Sequence, residues 1–139
     1  MGSTLVLGYD GSDCAKAALH AAVDTAQAFG DSIVVAFGAG VYPIGEDSDH
    51  KRALRKMGTD LAAEALSAIR EAGVTECDAV VVDARPADAL LKVAADRGAR
   101  MIVLGTHGEH PLAGAVLGSV PHKLLHLSTL PVLVVPARD

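Results

Sequence analysis

The sequence predicts an α/β fold: one doubly wound domain over residues 1–139, a five-stranded parallel sheet with helices on both faces. Three observations predict it. Five short aliphatic runs recur along the chain. Each is continuous rather than alternating with polar residues, the mark of strands buried on both faces. Stretches with helical spacing lie between them, and strand then helix, four times over and closed by a strand, is the doubly wound plan.

The runs are Leu5-Val6-Leu7, Ile33-Val34-Val35-Ala36-Phe37, Val80-Val81-Val82, Met101-Ile102-Val103-Leu104 and Val132-Leu133-Val134-Val135. Ala15, Ala18, Leu19, Ala22, Val23 and Ala26 trace the first helix face at spacings of three and four. Leu54, Met57, Leu61, Ala62, Ala65 and Ile69 trace the second. Leu90, Leu91 and Ala94 mark a third, and Val120, Leu124 and Leu127 a short fourth. Gly30, Gly73 and Gly98 follow the first three helices, as left-handed C-terminal caps require.

Half of the 139 residues are hydrophobic, mostly Ala, Val and Leu, with two Tyr and two Phe as the only aromatics. Small aliphatic side chains suit helices laid closely on a sheet. The formal net charge is -5. Nucleic-acid binding relies on a basic surface and often on exposed aromatics, so nucleic acid is not expected as a partner. The basic run Lys51, Arg52, Arg55 and Lys56 reads as the solvated face of a helix. No basic segment followed by an apolar stretch opens the chain, and no apolar run approaches the roughly 20 residues that span a bilayer. Cys14 and Cys77 fit no metal or redox spacing, so no membrane partner and a cytoplasmic, reducing setting are expected.

One connection is long. Residues 38–49 hold three glycines, one proline and three acids with no clear period. Leaving the C-terminal end of the second strand, this segment is either a lid or a plain connector.

Two glycine-bearing turns follow buried strands. The first is Gly8-Tyr9-Asp10-Gly11-Ser12; the second runs from Gly105-Thr106-His107-Gly108 to Gly118-Ser119 at the start of the fourth helix. Glycines let a backbone approach an anion closely and adopt positive φ, and the helix start offers free N–H groups. Neither turn is a GxxxxGK[ST] or GxGxxG loop. On residue pattern alone the second loop is either a phosphate cradle or a set of turn glycines, with Ser119 as an N-cap and Pro121 in the first helical turn.

The pattern Gly105-x2-Gly108-x9-Gly118-Ser119 resembles the nucleotide-binding signature of the universal stress protein family. Asp10-Gly11-Ser12 after the first strand, Pro86-Ala87-Asp88-Ala89-Leu90-Leu91, and Leu130-Pro131-Val132-Leu133-Val134-Val135-Pro136 at the end are similar as well. The resemblance covers essentially the whole chain. It implies a sheet ordered 3-2-1-4-5, an ATP site between strands 1 and 4, and a homodimer joined through the last strand. It places Gly8 and Asp10 beside the nucleoside and Phe37 at the adenine through its backbone. It puts Leu104 and Gly105 at the ribose and Gly108, Gly118, Ser119 and Val120 around the phosphates. His107, inside the loop, is expected to lean on the nucleotide. A bare carboxylate repels phosphates, so Asp10 is expected to accept from ribose hydroxyls or to help hold Mg²⁺, unless it serves only the turn.

His122 and His126 share a helix face, but no third ligand with secure geometry joins them, so a zinc site is not expected. Cys14 falls near a helix N-terminus, where a thiol pKa can drop, although a buried, idle thiol is the simpler reading. Three functions are consistent with these residues: an ATP-binding regulatory module of the stress response, a slow ATPase, or a nucleotide-free interaction protein. The loop disfavours the last. The absence of a nucleophile–base pair or a loop arginine disfavours the enzyme.

Overall fold

A computed structural model describes residues 2–40, 48–107 and 117–137. Its elements are β1 (Thr4–Gly8), α1 (Asp13–Phe29), β2 (Ser32–Gly38), α2 (Ser48–Glu71), β3 (Cys77–Val82), α3 (Pro86–Arg97), β4 (Met101–Gly105), α4 (Ser119–Leu127) and β5 (Val132–Val135). The strands form one sheet in the order β3-β2-β1-β4-β5, and every pairing is parallel. This is the expected single-domain fold. β1 lies at the centre, with Leu7 opposite Val35 on one side and Val103 on the other.

Strand side chains alternate between two cores. Leu5, Leu7, Ile33, Val35 and Val103 face α1 and α2, meeting Ala18, Leu19, Ala22, Ala65 and Ile69. Val6, Val34, Ala36, Ile102 and Leu104 face α3 and α4, meeting Leu90, Val93, Ala94 and Leu124. Because both faces are covered, the central strands need apolar residues at every position, which explains the continuous runs in the sequence. Alanines on α1 let its axis approach the sheet closely, and Ala18 and Ala22 are fully buried.

Helix ends follow their expected chemistry. Ser12 is the N-cap of α1, its hydroxyl accepting from the Ala15 N–H at 3.1 Å. Gly30 and Gly98 cap α1 and α3 in the left-handed region, with φ of 72° and 57°. The basic run lies on α2: Lys51 pairs with Asp83, Arg52 with Asp49 and Lys56 with Asp60. These surface pairs fit a solvated face and contribute little stability.

At the opposite end of the sheet from the strands' C-termini, Asp31 is buried. It accepts from the Ser3 N–H at 2.7 Å and from Arg100 Nε at 2.7 Å. Arg100 also lies over the Phe29 ring, 4.6 Å from its centroid. The Arg100 guanidinium, aided by the Ser3 N–H, outweighs burial and holds the Asp31 carboxyl below its ordinary range.

Candidate nucleotide site

β1 and β4 are neighbours whose following helices leave on opposite faces of the sheet, which opens a crevice at their C-terminal ends. A cavity of about 260 Å³ occupies it. Nine of the ten residues predicted from the sequence line this cavity: Gly8, Asp10, Phe37, Leu104, Gly105, His107, Gly118, Ser119 and Val120. Gly108 lies outside the described residues, as do residues 41–47 of the long connection and the middle of the glycine loop.

Ala36, Leu90, Leu104 and Pro86 give the cavity an apolar stretch of wall. The start of α4 lines it as well. Gly118, not Ser119, is the N-cap, and no side chain among the described residues caps this helix. The N-cap role considered for Ser119 is therefore replaced: Ser119 is the first helical residue, where its N–H and that of Val120 have no intrahelical acceptor. Pro121, buried in the same turn, has no N–H to offer. The loop returns to the sheet where the Gly118 N–H donates to the Thr106 carbonyl at 2.7 Å.

Gly105 and Gly118 owe their identity to contacts rather than to positive φ. Gly118 has φ -73° and ψ 174°, which any residue adopts. A Cβ there would stand 3.1 Å from His107 Cα. Gly105 ends β4 directly under the first turn of α1; a Cβ there would stand 2.5 Å from Cys14 Cβ and 2.8 Å from the Cys14 carbonyl carbon. Among the described residues of the two predicted turns, only Gly11 is left-handed, with φ 82°.

Asp10 has a turn role as well as a place in the cavity wall: its Oδ1 accepts from the Ser12 N–H at 3.0 Å. Among the described residues no Lys or Arg lines the cavity. His107 Nδ1 lies 3.5 Å from the buried Cys14 thiol, which also contacts the Thr106 hydroxyl at 3.3 Å. These two contacts fill the thiol's surroundings and match the structural reading of Cys14. Tyr9, on the cavity wall, donates its hydroxyl to Glu64 of α2. Burial, reinforced by the Glu64 carboxylate, raises the Tyr9 phenol above its ordinary range.

The model of the universal stress protein family matches residues 1–136. The chain belongs to the universal stress protein family. It is 34% identical over 139 residues to a universal stress protein of Thermus aquaticus encoded in the 3′ region of QAH/OAS sulfhydrylase, covering 97% of this chain and 99% of that one. It is 30% identical to universal stress protein YxiE of Bacillus subtilis, over 97% and 99% of the two chains. Among solved structures it is similar to a universal stress protein crystallised in complex with cAMP, at 29% identity and TM-score 0.78, covering 98% of each chain.

Several wall residues of this universal stress protein were not singled out from its sequence as site residues: Tyr9, Ser12, Ala15, Ala36, Gly38 and Pro86. Pro86 and Leu90 belong to a segment that carried the family resemblance, and Gly38 opened the long connection. Ala15 and Ala36 carried only a core signal, because a wall residue buried on its other side has the hydrophobicity of any core position. Among the described residues no helix is long and apolar enough to cross a membrane, and no three His, Cys, Asp or Glu side chains cluster as a metal site.

Proposed function

We propose that this universal stress protein binds ATP, with Mg²⁺, in the crevice between β1 and β4, and acts as a nucleotide-dependent regulatory module. The observation that carries the proposal is the union of an apolar slot with an uncapped helix start in one cavity at the topological switch point. The apolar wall residues Ala36, Phe37 and Leu90 suit a purine ring. The Ser119 and Val120 N–H groups, the Ser119 hydroxyl and the α4 dipole suit phosphate oxygens. The universal stress protein in complex with cAMP supports an adenine nucleotide as the ligand class.

The donor set also bears on the metal. With no Lys or Arg on the described wall, the α4 N–H groups and the Ser119 hydroxyl would face several phosphate charges without a Lys or Arg cation beside them. A divalent cation would neutralise them, and the Asp10 carboxylate is the wall residue suited to hold it. Its Oδ1 is shared with the Ser12 N–H, leaving Oδ2 for the ion or for a ribose hydroxyl. The described wall offers no arginine to stabilise phosphoryl transfer, so binding rather than turnover is the proposed activity.

The partner is proposed to be a second copy. β5 is a sheet edge of four residues carrying exposed Leu133, and an antiparallel pairing of two such edges would satisfy its free backbone groups.

Calorimetry with ATP plus Mg²⁺, AMP and cAMP tests the site. Gly118→Val is expected to abolish binding, because its side chain enters the space between His107 and the start of α4. Ser119→Ala should cost about 1.5–3 kcal/mol, one hydrogen bond to a charged group. Undiminished affinity in a folded Gly118→Val variant would place the nucleotide elsewhere. Tighter binding of cAMP than of ATP would retain the site and reject the choice of ATP.

A further inference from the structure

We propose a second, independent site on the outer surface of α4: a bis-histidine clamp for a borderline divalent transition-metal ion, formed by His122 and His126. The two residues are four apart on one helix, so their side chains rise from the same face one turn apart. Both are exposed, and their ring centroids stand 4.8 Å apart with planes tilted by 41°. That separation is compatible with a shared ion. With metal–nitrogen bonds near 2.0–2.1 Å, a bound imidazole centroid lies about 3.2 Å from the ion. Two rings bound at angles between square and tetrahedral therefore have centroids about 4.5–5.2 Å apart. The observed spacing falls inside this interval, and both rings rise from the same face of α4.

The surroundings favour the same ion. His126 lies in the last turn of α4, where the helix dipole favours positive charge. Lys123, between the two histidines in sequence, is turned to Asp88 of α3 at 3.3 Å. The chain as a whole carries a net charge of -5. With two protein ligands the ion keeps water or an outside ligand at its other positions. Such a two-ligand site is exchangeable and differs from a structural zinc site, for which a third ligand is missing among the described residues. Imidazole ligands select Cu²⁺, Ni²⁺ or Zn²⁺ over Mg²⁺ and Ca²⁺, which prefer oxygen. The clamp also spans most of a nine-residue helix, a length at which isolated helices are marginal.

The test is calorimetry of the full chain with Ni²⁺ in neutral, chelator-free buffer, alongside His122→Gln, His126→Gln and the double variant. Both positions are exposed, so all variants should keep the parent's fold by circular dichroism. One Ni²⁺ per chain is expected at this site, with affinity lowered by about tenfold or more in each single variant. Ni²⁺ should raise the thermal midpoint of the parent and not that of the double variant. Equal affinity in the parent and the double variant would overturn the proposal by assigning the ion to another group. So would a loss in only one single variant, because a clamp needs both rings.

Discussion

Gly105→Ala isolates the physical reason for one glycine of the signature. The added methyl carbon would lie 2.5 Å from Cys14 Cβ, 2.8 Å from the Cys14 carbonyl carbon and 3.1 Å from the Ala15 nitrogen. Ordinary carbon contacts stand at about 3.5–4.0 Å, so the first turn of α1 must retreat from β4 by roughly 0.7–1 Å. Two of the three atoms are backbone, and no side-chain rotation relieves them. Overpacking of this kind costs about 1–3 kcal/mol. The reduced freedom of the unfolded chain returns about 0.4–1 kcal/mol. The expected net loss is about 1–2 kcal/mol, a drop of roughly 4–8 °C in thermal midpoint for a chain of this size. Gly118→Ala is the control. Its methyl meets His107 Cα at 3.1 Å, a contact relieved by a few tenths of an ångström, and its φ needs no adjustment. Its unfolding free energy should stay within about 0.5 kcal/mol of the parent's. Urea unfolding of the three proteins decides the matter. A Gly105→Ala midpoint equal to the parent's, or a larger loss in Gly118→Ala, would refute the assignment of Gly105 to the β4–α1 contact.

Asp31→Asn should weaken the fold at neutral pH and flatten its acid sensitivity. The folded carboxyl titrates below its unfolded value of about 3.9, so its stabilisation is complete above that value and is lost as pH falls through the lower folded one. An acid-unfolding profile as steep in the variant as in the parent would exclude this source. Tyr9→Phe should cost about 0.5–1.5 kcal/mol and remove a loss of stability that begins near pH 10, where the unfolded phenol ionises and the folded one does not; alkaline melts of the pair check it. Light scattering should give twice the 14.2 kDa chain mass for the parent and a shift toward monomer for Leu133→Lys at the β5 edge, whereas a monomeric parent at micromolar concentration would remove the dimer.

The sequence by itself determined the strands, the helices and the place of the cavity. Period and continuity are local properties: Val6 and Leu7 face opposite cores, yet both must be apolar because helices cover both sides. The glycine pattern marked the β4–α4 loop because its residues are close in sequence or fixed in spacing, and nine of the predicted residues meet around one cavity. The sheet order came from resemblance rather than periodicity, since nothing local tells β1 that β4 will lie beside it.

Only the tertiary structure decided what each group touches. Gly105 reads as a turn residue, but its constraint comes from Cys14, 91 positions earlier and brought over it by α1. Arg100 reaches Asp31 across 69 positions, and Tyr9 reaches Glu64 across 55, because parallel strands carry distant segments to the same end of the sheet. Ser119 has the composition of an N-cap, yet the Gly118–Thr106 hydrogen bond sets the helix start one residue earlier. Local patterns specify which backbone forms and which face is buried. The pairing of particular atoms depends on how two helices and a strand pack, and no window of sequence contains all three.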